Sequence, residues 1–305
     1  MIAFEPDKKI TEILKVNAFT LSAEVIPPRN GANPIELLKQ IAKLTESGAQ
    51  FLAVTKGAGG SLRGGSLPIA QLIKEKYQRP CIAHFTCRDL TPEEVENQLM
   101  DHHYFGIRNI LGLRGDPPLN DTSWKPRSES HPYAYQLIEQ IAKMNRGQYL
   151  ERQNFQVEKR EATDFCIGAA VYPDHPDRAE RIEFFKQKVF AGAEFAITQM
   201  LFDADSYSEF LDTCARNGID TPILPGARIL QSKAQALKMS ARFGFSMPEK
   251  FLKLLPDDPK DSENQILDCF NHLIEDLKKA GAPGIHLFVL SDLELSAKAL
   301  RQLKA

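Results

Sequence analysis

No apolar run in this sequence approaches the roughly 20 residues that a membrane-spanning helix needs, so no membrane role is expected. The net charge is only −2, too little to mark a nucleic-acid-binding surface. Cysteine is sparse. The five (Cys81, Cys87, Cys166, Cys214 and Cys269) include no CxxC pair and are odd in number. That disfavours a disulfide framework and leaves reduced, mostly buried thiols as the expectation. Cys87 falls just past a predicted strand end, where some accessibility is expected. The first residues, Met1-Ile2-Ala3-Phe4-Glu5-Pro6-Asp7, lack the basic-then-apolar order of a signal peptide, and the cytoplasm is the expected location. There is no low-complexity tract and no evident linker, so residues 1–305 are expected to form a single domain with small insertions.

What is present is an ordinary globular composition, 43% hydrophobic and 26% charged, with one short pattern repeated. A helix ends in a small residue and glycine, and a strand begins a few residues later. The pattern occurs at Ser47-Gly48-Ala49, Phe105-Gly106-Ile107, Ala191-Gly192-Ala193, Asn217-Gly218-Ile219 and Ala280-Gly281-Ala282. Helix starts are also marked. Asn33-Pro34 precedes Ile35, Leu38, Ile41 and Leu44 at helical spacing. Thr91-Pro92-Glu93-Glu94 is a capping box, with Val95 and Leu99 directed inward. Eight strands are predicted, at 19–24, 51–55, 80–85, 109–113, 165–171, 195–199, 222–225 and 284–290. Strands alternating with helices imply a parallel sheet. Eight of them, with no GxGxxG turn after the first, favour an α/β fold of the (β/α)8 TIM-barrel type over an open sheet. Residues 148–164 read as an exposed charged insertion, and residues 243–262 as a lid or decoration.

In such a barrel the site is built at the carboxyl ends of the strands. Those ends read Glu24, Thr55, His84, Arg114 with Asp116, Tyr172, Gln199 and Gly226, a nearly unbroken series of polar residues. Glu24 lies inside an apolar strand. Desolvation there disfavours its charged form and keeps a proton available near neutral pH; a structural pairing with Arg29 or Arg114 is the alternative. Asp116 precedes two prolines and has the makings of a turn former, yet Arg114 and Gly115 beside it favour a ligand site. The Gln199 amide can both donate to and accept from a heterocycle. His84 stands in no metal-ligand spacing, and no metal is expected. Tyr172 and His175 are placed to grip a ring or phosphate, or simply to form a Pro-fixed turn. Lys188 by default is a solvated helix lysine.

The motifs in order resemble those of the methylenetetrahydrofolate reductase family. They are Glu24 in Glu-x-x-Pro-Pro-Arg, Val54-Thr55-x-Gly57-Ala58, His84-x-Thr86-Cys87, Leu113-Arg114-Gly115-Asp116-x-Pro118, Tyr133-Ala134, the Tyr172/His175 pair, Lys188-Val189-x-Ala191-Gly192-Ala193, Ile197-Thr198-Gln199-x-x-Phe202-Asp203 and Ile223-Leu224-Pro225-Gly226. The resemblance implies a flavin, FAD or alternatively FMN, in the barrel mouth. Its contacts would be Thr55, Ala58, His84, Arg114, Gly115, Asp116, Tyr133, Ala134, Tyr172, His175 and Lys188. It implies Glu24 as the general acid that opens the folate's five-membered ring, and Asp116 as the carboxylate that tunes the flavin and stabilises the resulting iminium. Gln199, Gln235 and Met239 match substrate positions, and NADH or NADPH would be the electron donor. A small-molecule folate would be the substrate, and a homo-oligomer the expected assembly.

Several positions depart from the pattern. Asp292 stands where the family has a folate-contacting arginine, and an acid there would repel an anionic folate tail. Met239 replaces a common phenylalanine, Gln187 a common arginine, and Tyr172 sits one position late, leaving Val171 in the aligned slot. These departures keep two other readings open: a flavin-carrying, folate-reducing subunit fed by an electron-transfer partner protein, and a folate-binding descendant without catalysis.

Overall fold

The computed structural model describes residues 5–304 apart from 29–30, 58–63, 119–122, 153–159, 176, 244, 246, 259–261 and 291. Eight parallel strands close into one barrel in chain order: β1 Thr20–Val25, β2 Phe51–Val54, β3 Cys81–Thr86, β4 Asn109–Leu113, β5 Cys166–Val171, β6 Phe195–Met200, β7 Ile223–Ala227 and β8 Gly284–Phe288. Closure is made by β1 against β8, with Ser22 opposite His286 and Glu24 opposite Phe288. The barrel predicted from the repeat is therefore the fold.

A helix α1, Ile10–Val16, precedes the barrel. Between and after the strands come α2 Ile35–Glu46, α3 Ser66–Tyr77, α4 Pro92–Tyr104, α5 Ala134–Met144, α6 Arg178–Ala191, α7 Ala204–Arg216, α8 Lys233–Phe243, α9 Glu249–Leu254, α10 Glu263–Lys279 and α11 Leu293–Lys304. Among the described residues no helix is long and apolar enough to cross a membrane.

Strand side chains alternate between two cores, as a period of two requires. Leu21, Ala23, Val25, Leu52, Val54, Ala83, Phe85, Ile167, Ala169, Ile285 and Leu287 pack outward against the helices. Phe51, Ala53, Ile82, Leu111, Cys166, Phe195, Ile197 and Leu224 fill the barrel interior, joined by Ile10, Ile13 and Leu14 of α1. Helix α1 thus stoppers the amino end. The same inward parity, followed to the carboxyl end, runs into Glu24, Thr55, His84, Thr86 and His286: the interior turns from apolar to polar along each strand.

Some local expectations need correction. In α2 the buried face is Leu37, Ile41 and Leu44, while Ile35 at the helix start is exposed. Cys87 is buried, its thiol near the His131 carbonyl, and all five cysteines are buried thiols. The 148–164 segment is tied down at both described ends. Leu150 N–H donates to Glu96 at 2.8 Å and the Tyr149 hydroxyl to the Glu161 carbonyl at 2.7 Å. Within 243–262 the described helix α9 is anchored: Phe251 packs on Phe202 with ring centroids 5.2 Å apart, and Lys250 pairs with Asp203 at 2.9 Å.

Candidate active site

Glu24 and His84 are brought together, as their parity on β1 and β3 requires. Glu24 is 8% exposed, and its Oε2 lies 3.5 Å from His84 Nε2 and 3.9 Å from His286 Nε2. The sequence offers Arg29 or Arg114 as a structural partner for Glu24; among the described residues its neighbours are two imidazoles. Arg114 is exposed at the end of β4 and makes no ion pair with Glu24, and Arg29 lies outside the described residues. Burial pushes the His84 imidazole below its ordinary range, with Glu24 opposing that shift and His286 adding to it.

The second carboxyl, Asp116, stands exposed just beyond β4, at the same end of the barrel as Glu24. Gly115 before it has φ +95, a conformation that favours glycine, and a Cβ there would come within 3.2 Å of both Thr86 and Arg88. The loop is tied to the end of β3: Arg88 N–H donates to the Arg114 carbonyl at 3.0 Å, and Cys87 N–H to Leu113 at 3.2 Å. Arg88 itself is 4% exposed and lies under the Trp124 ring at 4.6 Å.

Around this mouth several buried polar atoms have no hydrogen-bond partner among the described residues: Thr55 Oγ1, His84 Nε2, Thr86 Oγ1, Arg88 Nη1 and His286 Nε2. Orphaned donors and acceptors of this kind are costly unless a ligand or water completes them. Lys188 of α6 adds a desolvated ammonium. It donates to the Ala170 carbonyl at 2.8 Å, its Nζ is 5.8 Å from the Tyr172 ring centre, and burial lowers its pKa to about 8. It is therefore not the solvated lysine of the default reading. Tyr172 is half-exposed and senses the charges of Asp116 and Arg114. Tyr133 is also half-exposed at the start of α5, beside Ala134, and stacks on Tyr135 at 5.5 Å. His175 is exposed, with its Nδ1 at 3.2 Å from Asp177 N–H. Ala58 lies outside the described residues. This collection fits a flavin: hydroxyl, imidazole and guanidinium groups short of partners, a glycine turn closely packed from below, exposed aromatic rings and a cation at a strand end.

The remaining side of the mouth is built by β6, β7 and α8. A register shift between Ile197 and Met200 breaks the alternation of β6, and the Thr198 hydroxyl fills the break by accepting Gly226 N–H at 2.8 Å. Gln199 is left exposed, with its side-chain oxygen accepting Met200 N–H at 3.0 Å. Gln235 accepts Gln231 N–H at 2.6 Å, so its oxygen helps to start α8, and among the described residues its amide NH2 makes no hydrogen bond. Met239 is buried, with its sulfur 3.2 Å from an Arg228 nitrogen. Asp292 does not stand as a bare anion: Gln231 donates to it, and its charge is felt by Arg228. Arg228, just past the end of β7, is the cation that feels this charge.

His286 and Arg88 are what the motif reading missed. His286 carries the same signal as Glu24, a polar residue of inward parity in an otherwise apolar strand. Among the described residues no three His, Cys, Asp or Glu side chains are disposed to hold a metal ion.

The chain is 31% identical over 284 residues to 5,10-methylenetetrahydrofolate reductase of Escherichia coli, covering 90% of this chain and 88% of that protein. It is 29% identical over 289 residues to methylenetetrahydrofolate reductase 1 of Schizosaccharomyces pombe, covering 92% of this chain and 45% of the yeast protein, so it spans less than half of that longer relative. A solved structure of a Clostridium thermocellum protein that binds two copies of 5-methyl-5,6,7,8-tetrahydrofolic acid shares the fold, with TM-score 0.58, 18% identity and coverage of 96% of this chain and 98% of that one. The family model for methylenetetrahydrofolate reductase matches residues 9–304, and with the closed barrel and its polar mouth this establishes that the chain belongs to the methylenetetrahydrofolate reductase family.

Proposed function

We propose that this protein reduces 5,10-methylenetetrahydrofolate to 5-methyltetrahydrofolate, with a bound flavin relaying electrons from NADH or NADPH. The observation that supports it best is Glu24. It is a carboxyl group nearly excluded from water at the carboxyl end of β1, in a chain that matches the family over residues 9–304. Opening the folate's five-membered ring needs an acid held away from bulk water. Glu24 gives its proton to a ring nitrogen, the C–N bond breaks with its electron pair staying on that nitrogen, and an iminium is left at the bridging carbon. Asp116 sets negative charge against that cation. A flavin, when bound, supplies the hydride that turns the iminium carbon into a methyl group.

Thr55, Ala58, His84, Arg114, Gly115, Asp116, Tyr133, Ala134, Tyr172, His175 and Lys188 are the residues that would hold it, as FAD or, in the alternative, FMN. Gln199, the NH2 group of Gln235 and Met239 would receive the folate. A single barrel domain, a cytoplasmic location and a homo-oligomeric assembly belong to the same reading.

The test uses the purified protein. Mass spectrometry identifies the released flavin, and anaerobic bleaching by each nicotinamide identifies the donor. Glu24→Gln is expected to keep flavin bound and reducible by the donor while folate reduction falls by at least about a hundredfold. Near wild-type folate reduction in that variant overturns the acid assignment. A flavin bleached by neither nicotinamide replaces direct NAD(P)H use with a partner protein, and a chain that binds no flavin is not a reductase of this kind.

A further inference from the structure

Across the barrel from β3, strand β7 ends on a cation. Its inward alternation runs Leu224, Gly226, Arg228. Leu224 fills the barrel interior. Gly226 leaves room for the Phe288 ring, since a Cβ there would fall 2.5 Å from it. Arg228 follows just past the strand end and is half-buried. One of its terminal nitrogens lies 3.2 Å from the Met239 sulfur, a weak acceptor. Among the described residues no carboxylate comes within ion-pair distance of the guanidinium. Asp292, the acid whose charge it feels, instead accepts a hydrogen bond from the Gln231 side chain.

A guanidinium keeps its proton at any working pH, so this site carries a fixed positive charge. Half out of water and facing a thioether, that charge is poorly compensated. Arg242, three residues beyond Met239 on α8, adds a second positive charge within its reach. The planar fork of Arg228 matches a carboxylate, which can accept two of its N–H groups at once. Methylenetetrahydrofolate has a neutral bicyclic head and a benzoylglutamate tail with two carboxylates. The head belongs at Glu24, where the ring opens, so the tail leaves along one wall of the mouth. Gln235 and Met239 of α8 line the wall proposed to receive it, and Arg228 adjoins Met239. Strand β8 and its exit offer no alternative cation, because residues 284–292 contain no lysine or arginine.

We propose that Arg228 pairs with a carboxylate of the substrate's glutamate tail and so sets the preference of the site for an anionic folate. The assignment rests on the proposed function, which makes a folate the substrate. Position 292, where the family resemblance places a folate-contacting arginine, is an acid in this chain. The cation for the tail is therefore supplied from β7 rather than from β8.

Calorimetric titration of the flavin-loaded protein compares 5-methyltetrahydrofolate with its bis-amide, in which both glutamate carboxylates are neutral carboxamides of the same shape. This first comparison needs no variant. The wild-type protein is expected to bind the acid about tenfold more tightly, the size of a partly exposed charge-assisted hydrogen bond. In Arg228→Gln that preference is expected to shrink to about twofold or less. Affinity for the bis-amide stays at the wild-type level, which also shows that the variant is folded. Arg228→Lys keeps the charge without the paired donors and retains part of the preference. Equal wild-type affinity for acid and amide overturns the assignment, and is the result expected where Arg228 turns to Asp292 in solution. A preference that survives undiminished in Arg228→Gln overturns it as well. A wild-type protein that binds neither compound refutes the folate reading itself, and this assignment falls with it.

Discussion

Lys188 is a largely buried charge beside the end of β5. Its ammonium donates to the Ala170 carbonyl, and burial lowers its pKa to about 8. A phosphate-bearing ligand would meet a full positive charge below that pH and a fading one above it. Affinity for FMN or FAD is therefore expected to fall by up to about tenfold per pH unit above pH 8, because binding must restore the lost proton. Riboflavin, with no phosphate, should show no such slope. Lys188→Met should flatten the FAD profile and weaken binding at pH 7 by roughly tenfold or more, the size of a lost hydrogen bond to a charged group. Fluorescence titration of the apoprotein measures all three; a riboflavin slope equal to that of FAD would remove Lys188 from the phosphate site. At this scale the sequence was readable where a polar residue interrupts an apolar strand, as Glu24 and His84 do. It was unreadable where the partner comes from a distant strand. Ser22 and His286 are 264 positions apart, and only barrel closure between β1 and β8 makes them neighbours.

Elements were legible wherever their ends carry local chemistry. The box at Thr91 forms as read: Thr91 Oγ1 accepts Glu94 N–H at 3.2 Å, Glu94 returns the bond to Thr91 N–H at 2.7 Å, and Val95 and Leu99 are fully buried. Thr91→Ala leaves Glu94 N–H without its acceptor and is expected to cost about 1 kcal/mol. In a chain of this size that is a drop of roughly 2 °C in the thermal midpoint. Circular dichroism melts decide it, and a Thr91→Ser variant should restore most of the loss; no change in Thr91→Ala would mean that water replaces the cap. The strands were legible from their apolar runs, with their ends set by hydrogen bonding rather than by hydropathy. Hence β6 continues through exposed Gln199 to Met200, past its apolar core, and β8 stops at Phe288 although Val289 is apolar. The apolar spacing of α2 alone admits two faces. Contact with β1 and α11 selects Leu37, Ile41 and Leu44, and leaves Ile35 in solvent.

The whole molecule is polarised. Its carboxyl end is lined with orphaned polar atoms, and its amino end is closed by α1, whose Ile10, Ile13 and Leu14 complete the barrel's inner core. The segment leading into that stopper is pinned by Asp7 N–H to the Gly106 carbonyl at 2.9 Å, by Ile10 N–H to Asn109 Oδ1 at 2.9 Å, and by Cys81 N–H to Asp7 Oδ2 at 3.2 Å. Burial raises the Asp7 pKa from 3.8 to about 7, against the lowering pull of the Cys81 hydrogen bond, Lys74 and Arg108. A carboxyl whose folded pKa exceeds its unfolded one binds its proton more tightly in the native state. Its contribution to stability is thus complete below about pH 4 and is lost as pH rises through about 7. Between pH 5 and 8 this one group should take away on the order of 2 kcal/mol. Asp7→Asn keeps an acceptor for Cys81 N–H and carries no charge. Relative to wild type it should gain stability with rising pH and be the more stable protein at pH 8. Urea unfolding of both proteins at pH 5 and pH 8 isolates the effect, since other titrating groups cancel in the difference. Equal pH dependence in the two would mean that Asp7 is solvated and that the stopper is held by its apolar face alone.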